Sequence, residues 1–214
     1  TFGDFAIDET KSAHGDVLLD RITIRNMSNQ TQTIRLIFRS EFESRKASAR
    51  YISEKHTALV DLSLAQRVHL AISASEAPTR FVFRPYPERV DPELLALGNA
   101  TIPPPQRVFC HDQIVPGWRF DFELAPGATR ELTLALACDA VAEVAGAKAQ
   151  AACADPKVCF EIETTAWEQF FREEIPTFCC SDPKLEQLWL YNWFVQRSNI
   201  VQHNNPRFPF PFQI

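Results

Sequence analysis

Several things are scarce in this sequence, and each scarcity narrows what the chain can do. Only 6 of its 214 residues are glycine, and none of them builds a Gly-rich phosphate loop. No apolar run approaches the ~20 residues that a membrane-spanning helix needs. Cations are not in excess: 22 Lys and Arg face 27 Asp and Glu, a net charge of −5. The chain therefore carries no electrostatic footprint for nucleic acid or an anionic membrane, and neither is expected as a partner. Six cysteines (Cys110, Cys138, Cys153, Cys159, Cys179, Cys180) occur without a C-x-x-C or an H-x-x-x-H, so no metal site is expected. They read as reduced thiols acting as small buried hydrophobes, which tilts localisation toward the cytoplasm without settling it. No cofactor is called for. His14, His56, His69 and His111 are scattered and read as surface or internally satisfied side chains. Asp4, Asp8, Glu9 and Asp16 cluster near the start, but without the D-x-D-x-D-G spacing of a calcium loop.

What is present is β-pattern. VLLDRITIR (17–25) and QTIRLIFR (32–39) flank a polar turn and read as an antiparallel hairpin. Strand-like runs follow at 57–63, 67–74, 79–84 and 106–110. WRFDFEL (118–124), Ala125-Pro126-Gly127 and TRELTLALA read as a second hairpin. In its second strand Leu132, Leu134 and Leu136 alternate with Glu131, Thr133 and Ala135. Proline-rich 86–105 reads as a loop excursion with one helical turn. Many short strands with one polar face each imply a mainly β fold, an antiparallel β-sandwich over residues 1–163. An alanine-rich helix from Asp139 and a last strand, KVCFEIE (157–163), complete it. Residues 164–214 then form C-terminal helices. In the first, Trp167, Phe170 and Phe171 share a face and Pro176 ends it.

Asp182-Pro183 starts a final helix running to about residue 203. At ~100° per residue, Leu185, Leu188, Leu190, Trp193 and Phe194, with further apolar neighbours, cover most of its circumference. Such a helix is buried on nearly every side, and one sheet can cover only one side, so further helices are expected around it. A narrow strip interrupts the apolar cover: Asn192, Gln196, Asn199 and His203, at i, i+4, i+7 and i+11. These are the candidate substrate-binding residues, because amides and an imidazole offer donors and acceptors to sugar hydroxyls. A solvated edge or internal hydrogen bonding is the competing explanation. Arg197, off the strip near Glu186, reads as a structural ion pair.

The stretch from Thr164 to Ile200, with W-x-x-F-F, P-x-F and S-D-P-x-L-x-x-L-W, resembles the junction of six-hairpin glycosidases. There a β-sandwich of the supersandwich type passes into an alpha/alpha toroid. D-x-I-T-I-R-N and L-A-P-G-A-T-R-E-L-T-L are similar to sandwich strands of the same group, which includes glycogen-debranching, processing α-glucosidase and α-rhamnosidase-like enzymes. The resemblance implies a non-catalytic N-terminal domain of a glycoside hydrolase with a truncated toroid. Its partner would be the C-terminal catalytic toroid of the same polypeptide, its substrate an oligosaccharide. It also implies that the two catalytic carboxylates lie past Ile214, so no catalytic residue is expected within the chain. Two other classes stay open. An independent carbohydrate-binding module would need an aromatic platform, with Tyr51, Tyr86 and Trp118 as candidates. A structural interaction domain would dock its last helix on another chain.

Overall fold

The computed structural model describes residues 4–63, 67–96, 108–198, 200–201 and 212–213. The chain is mainly β with antiparallel sheets, and it divides into two compact units, Thr1–Glu163 and Thr164–Ile214.

The first unit contains β1 (Phe5–His14), β2 (Val17–Asn26), β3 (Gln32–Arg39), β4 (Phe42–Ile52), β5 (Thr57–Ser63), β6 (Arg67–Ala74), β7 (Arg80–Arg84), β8 (Val108–Leu124) and β9 (Thr129–Asp139). Helix α1 (Pro87–Leu95) lies between β7 and β8, and α2 (Ala142–Ala154) and α3 (Pro156–Gln169) follow β9. The strand order is β1-β2-β9-β6-β5-β4-β8-β3, with β7 also on β8. Strand β8 changes partners along its length. Val108–Ile114 pairs with β4, whereas the following residues pair with β3 on one side and β7 on the other.

Alternation explains the core. Ala58, Val60 and Leu62 of β5, Ile72 of β6 and Leu132 and Leu134 of β9 face one way. They share a core with Phe81 and Phe83 of β7 and Trp118 and Phe120 of β8. The opposite face is not polar as expected. Ala135 and Thr133 of β9 are buried, because α2 lays Ala145, Ala149 and Ala152 against Leu59, Ala71, Ala135 and Ala137. Alanine on both surfaces lets helix and sheet approach closely, and this burial on two faces is what alternation alone could not reveal.

Both expected hairpins are replaced by crossings. β2 pairs with β1 and β9, β3 with β8, and β8 and β9 do not pair with each other. Asn26, wholly buried, organises the two connections. Its Nδ2 donates to Gln30 O and Leu124 O, both at 2.8 Å. Its Oδ1 accepts from Ser28 N at 2.9 Å and Ser28 Oγ at 2.8 Å. Its backbone N–H donates to Ala128 O, and its carbonyl accepts from Gly127 N. Gly127 has φ +72°, a left-handed turn position that favours glycine. The polar turns are real, but they carry the chain between partners rather than folding it back on itself.

Within the expected loop excursion, Pro87–Leu95 form α1, longer than one turn. Val90 and Leu94 pack on Gly117, where an added Cβ would lie 2.7 Å and 2.8 Å from their side chains. Buried Arg119 donates to Leu94 O (2.9 Å) and Ala96 O (2.6 Å), a cation at the helix C-terminus. Asp139 is not the cap of α2: it ends β9, and its carboxylate accepts from Val141 N and Lys148 Nζ. The Lys148 bond first, then that backbone N–H, hold it below the usual carboxylate range.

The expected strand at 157–163 is part of α3. Pro156 opens the helix, and Asp155 Oδ1 accepts from Val158 N. Cys159 and Phe160 turn one helical face toward the α2 cluster, while Val158 and Ile162 stay exposed. A short apolar run reads equally as strand or helix. Strands β1 and β4 had no counterpart among the expected elements. β1 is an edge strand, largely exposed, so it lacks the apolar alternation that marks half-buried strands.

In the second unit the end of α3 passes into a π-helical turn, Phe170–Glu174, and Ile175 is extended before Pro176. Helix α4 spans Pro183–Ser198. Asp182 Oδ1 accepts from Lys184 N, and Glu186 Oε1 from Cys180 N. Trp167 stacks on Phe171 and lies 5.0 Å from the Phe194 ring, and Phe178 packs on Trp189. Arg197 is structural but not ion-paired to Glu186: it donates to Ala166 O and lies over Trp167 and Phe170. A two-residue ladder joins β10 (Ile200–Val201) to β11 (Phe212–Gln213). No described helix is long and apolar enough to cross a membrane.

Candidate functional site

The expected strip falls partly outside the described residues, which do not include Asn199 or His203. Asn192 and Gln196 lie one helical turn apart on α4, both exposed. Around them Leu185, Leu188, Leu190, Tyr191 and Phe194 are 46–61% exposed. No residue of α4 is buried. The full burial expected of this helix is therefore not supplied by the described residues: Trp189, Trp193 and Val195 are half-buried, and the other apolar positions are exposed.

The aromatic candidates do not form a platform. Tyr51 and Trp118 are core residues, Tyr51 stacked on Phe81 and Trp118 edge-on to the same ring, and only Tyr86 is exposed. Burial pushes the Tyr51 hydroxyl well above the usual phenol range. The early carboxylates are dispersed as well. Glu9 pairs with Lys11 on β1, Asp16 pairs with Lys148, and no group of three metal-ligating side chains converges among the described residues. Cys138, Cys153, Cys159, Cys179 and Cys180 are free thiols, but Cys179 and Cys180 are exposed rather than buried.

Described residues of the first unit line a pair of clefts that no sequence pattern pointed to. The larger, about 460 Å³, lies between the β1–β2 hairpin and the end of β3. Register defines its walls. Lys11 is directly opposite Asp20, Leu18 is opposite Leu136, and Asp20 is opposite Leu134, so these side chains share one face. Phe38, Arg39 and Ser40 form the other wall, and Ile72 and Trp118 contribute from the core. The lining is mostly apolar with a polar rim. Lys11 Nζ lies 3.0 Å from Glu9 and 3.8 Å from Asp20. Arg39 is held by Asp91 at 2.8 Å and Glu41 at 3.5 Å. Burial, then the neighbouring Glu9 charge, push the Asp20 carboxyl above its usual range. Among the described residues, three buried polar atoms of lining side chains have no hydrogen-bond partner: Ser12 Oγ, Asp20 Oδ1 and Trp118 Nε1.

The second cleft, about 400 Å³, is lined by Arg50, Asp61, His69 and the start of α2. His69 Nδ1 lies 2.5 Å from Asp61 Oδ1, and Ser48 Oγ donates to Asp61 Oδ2 at 3.1 Å. A carboxylate orients this imidazole, an arrangement able to take up and return a proton. His69 is thus internally satisfied, as expected, but it also faces a cleft. Its signal was the register of β5 and β6, which sets Asp61 opposite His69.

No protein-family model and no curated protein matches the chain. Among solved structures it is similar to a protein from Escherichia coli K12 provisionally named an aldose 1-epimerase. That match has 7% identity and a TM-score of 0.44, covering 63% of this chain and 60% of that one. It is also similar to the Slr1438 protein of Synechocystis sp. PCC 6803, with 10% identity and a TM-score of 0.43, covering 64% of this chain and 55% of the other. The chain thus spans less than two thirds of either neighbour.

Proposed function

We propose that this chain is the non-catalytic β-sandwich domain of a carbohydrate-processing glycoside hydrolase, with α4 as the first helix of an alpha/alpha toroid. The observation that carries the reading is the exposure of α4. Leu185, Leu188, Leu190, Tyr191 and Phe194 point in different directions around the helix, and all are exposed. A contiguous apolar surface of this kind marks an interaction site. One partner helix would cover one stripe, whereas a toroid encloses the whole circumference. The junction motif from Trp167 to Trp189 supports the same reading by its resemblance to six-hairpin glycosidases. The β-sheet sections sharing one core are its sandwich, in this account, and Asn192 and Gln196 line the polar interior of the toroid. Catalytic carboxylates come from helices after Ile214. A single occupant chain docking on α4 is the alternative, as in an interaction domain.

The test is a polypeptide carried past Ile214 and assayed on a panel of aryl glycosides and oligosaccharides. Hydrolysis of at least one is expected, and it should be lost in a Leu188→Glu, Phe194→Glu double variant whose first unit melts normally. Absence of turnover across the panel, or a double variant as active as the parent, would contradict the proposal.

A further inference from the structure

Resting on that carbohydrate reading, we infer that the cleft between the β1–β2 hairpin and the end of β3 is a second sugar site, apart from the toroid, for one uncharged pyranose unit. Three properties of the cleft select the ligand. Its size, about 460 Å³, suits a small molecule rather than a chain segment. Its walls of Leu18, Phe38, Leu134 and Leu136 are apolar and match the C–H face of a sugar ring. Its three unpartnered buried atoms are an acceptor, Asp20 Oδ1, a donor, Trp118 Nε1, and the Ser12 hydroxyl, which can do either. Sugar hydroxyls can satisfy each of them, since a hydroxyl both donates and accepts. A wholly apolar ligand would leave all three unpaired.

Charge argues against an anion. The rim cations Lys11 and Arg39 are already matched by Glu9, Asp20, Glu41 and Asp91. Four carboxylates against two cations would repel a phosphate or a uronate. The raised Asp20 carboxyl fits the same picture, because a hydroxyl can pair with it in either protonation state. Access to the deeper atoms is governed by mouth side chains: Leu18 is 54% exposed, and the Lys11 side chain 65%. Every lining residue belongs to the first unit.

The experiment uses the 214-residue chain and saturation-transfer NMR with titration calorimetry. Methyl glycosides of glucose, galactose, mannose and rhamnose are compared with glucose 6-phosphate, glucuronate and cyclohexane. Saturable binding of at least one neutral glycoside is expected, weakened tenfold or more by Asp20→Ala, which removes both oxygens, and by Trp118→Phe, which keeps an aromatic ring but removes the indole N–H. Should Trp118→Phe fail to fold, Leu18→Glu at the mouth serves in its place and should also weaken binding. Equal or tighter binding of the charged sugars or of cyclohexane, no saturable glycoside, or full affinity in the variants would overturn the inference. Such a failure leaves the toroid reading standing, because α4 is not probed by it. Conversely, sugar binding here together with an inactive extended polypeptide would separate the two.

Discussion

Replacing Asn26 by alanine should destabilise the first unit by about 3–5 kcal/mol. The side chain is fully buried and makes four hydrogen bonds, two donated to Gln30 O and Leu124 O and two accepted from Ser28. Each is worth ~0.5–1.5 kcal/mol net, and a buried group left without a partner costs ~1–3 kcal/mol. The Leu124 carbonyl is the group most firmly orphaned, since that bond is buried while those to Gln30 and Ser28 are part-buried and can recover water. For a unit of this size the loss corresponds to a fall of roughly 6–20 °C in melting temperature. Asn26→Asp is the informative control. It keeps the Oδ1 acceptor but sets a carboxylate oxygen where Nδ2 faced two carbonyls, so it should be no better than alanine. Urea unfolding followed by circular dichroism measures both, and Ser28→Ala should cost only ~1 kcal/mol. A loss below ~1 kcal/mol for Asn26→Ala, or an aspartate variant as stable as the parent, would refute the idea that one amide locks both crossings.

Gly117→Ala drives a methyl group into Val90 and Leu94 and should cost ~1–3 kcal/mol by overpacking, read as a lower urea midpoint at unchanged slope. Cys179 and Cys180 should react with iodoacetamide within minutes, while Cys153 stays unlabelled until unfolding, as peptide mapping can show. Burial pushes the Cys153 thiol from its ordinary 9.0 up to about 12. The unfolded chain therefore releases this proton first, and the contribution is intact below about pH 9 and lost as pH rises toward 12. Relative to Cys153→Ala, stability should fall by ~1.4 kcal/mol per pH unit in that window, and a flat difference would contradict it.

Local pattern made much of the strand content legible. β2, β3, β5 and β6 lie where the strand-like runs placed them, because each packs apolar side chains on a core. Partner choice was not legible. A polar turn such as 26–31 suits a hairpin or a crossing equally, and Asn26 decides between them through Leu124, far along the chain. The helical nature of 157–163 was hidden by the brevity of its apolar run, and β1 by its solvated edge. The strip on α4 was readable because one helix carries it. The cleft at Asp20 was not, since its walls come from β1, β2, β3, β6, β8 and β9 and meet only through sheet register.

Amide hydrogen exchange along α4 tests the central claim most directly. In the 214-residue chain the amides from Leu188 to Phe194 should exchange almost as fast as a solvated helix allows. In a polypeptide continuing past Ile214 they should slow by ~100-fold or more as neighbouring helices close around them. Equal exchange in both would mean that nothing encloses this helix, and the toroid would have to be abandoned.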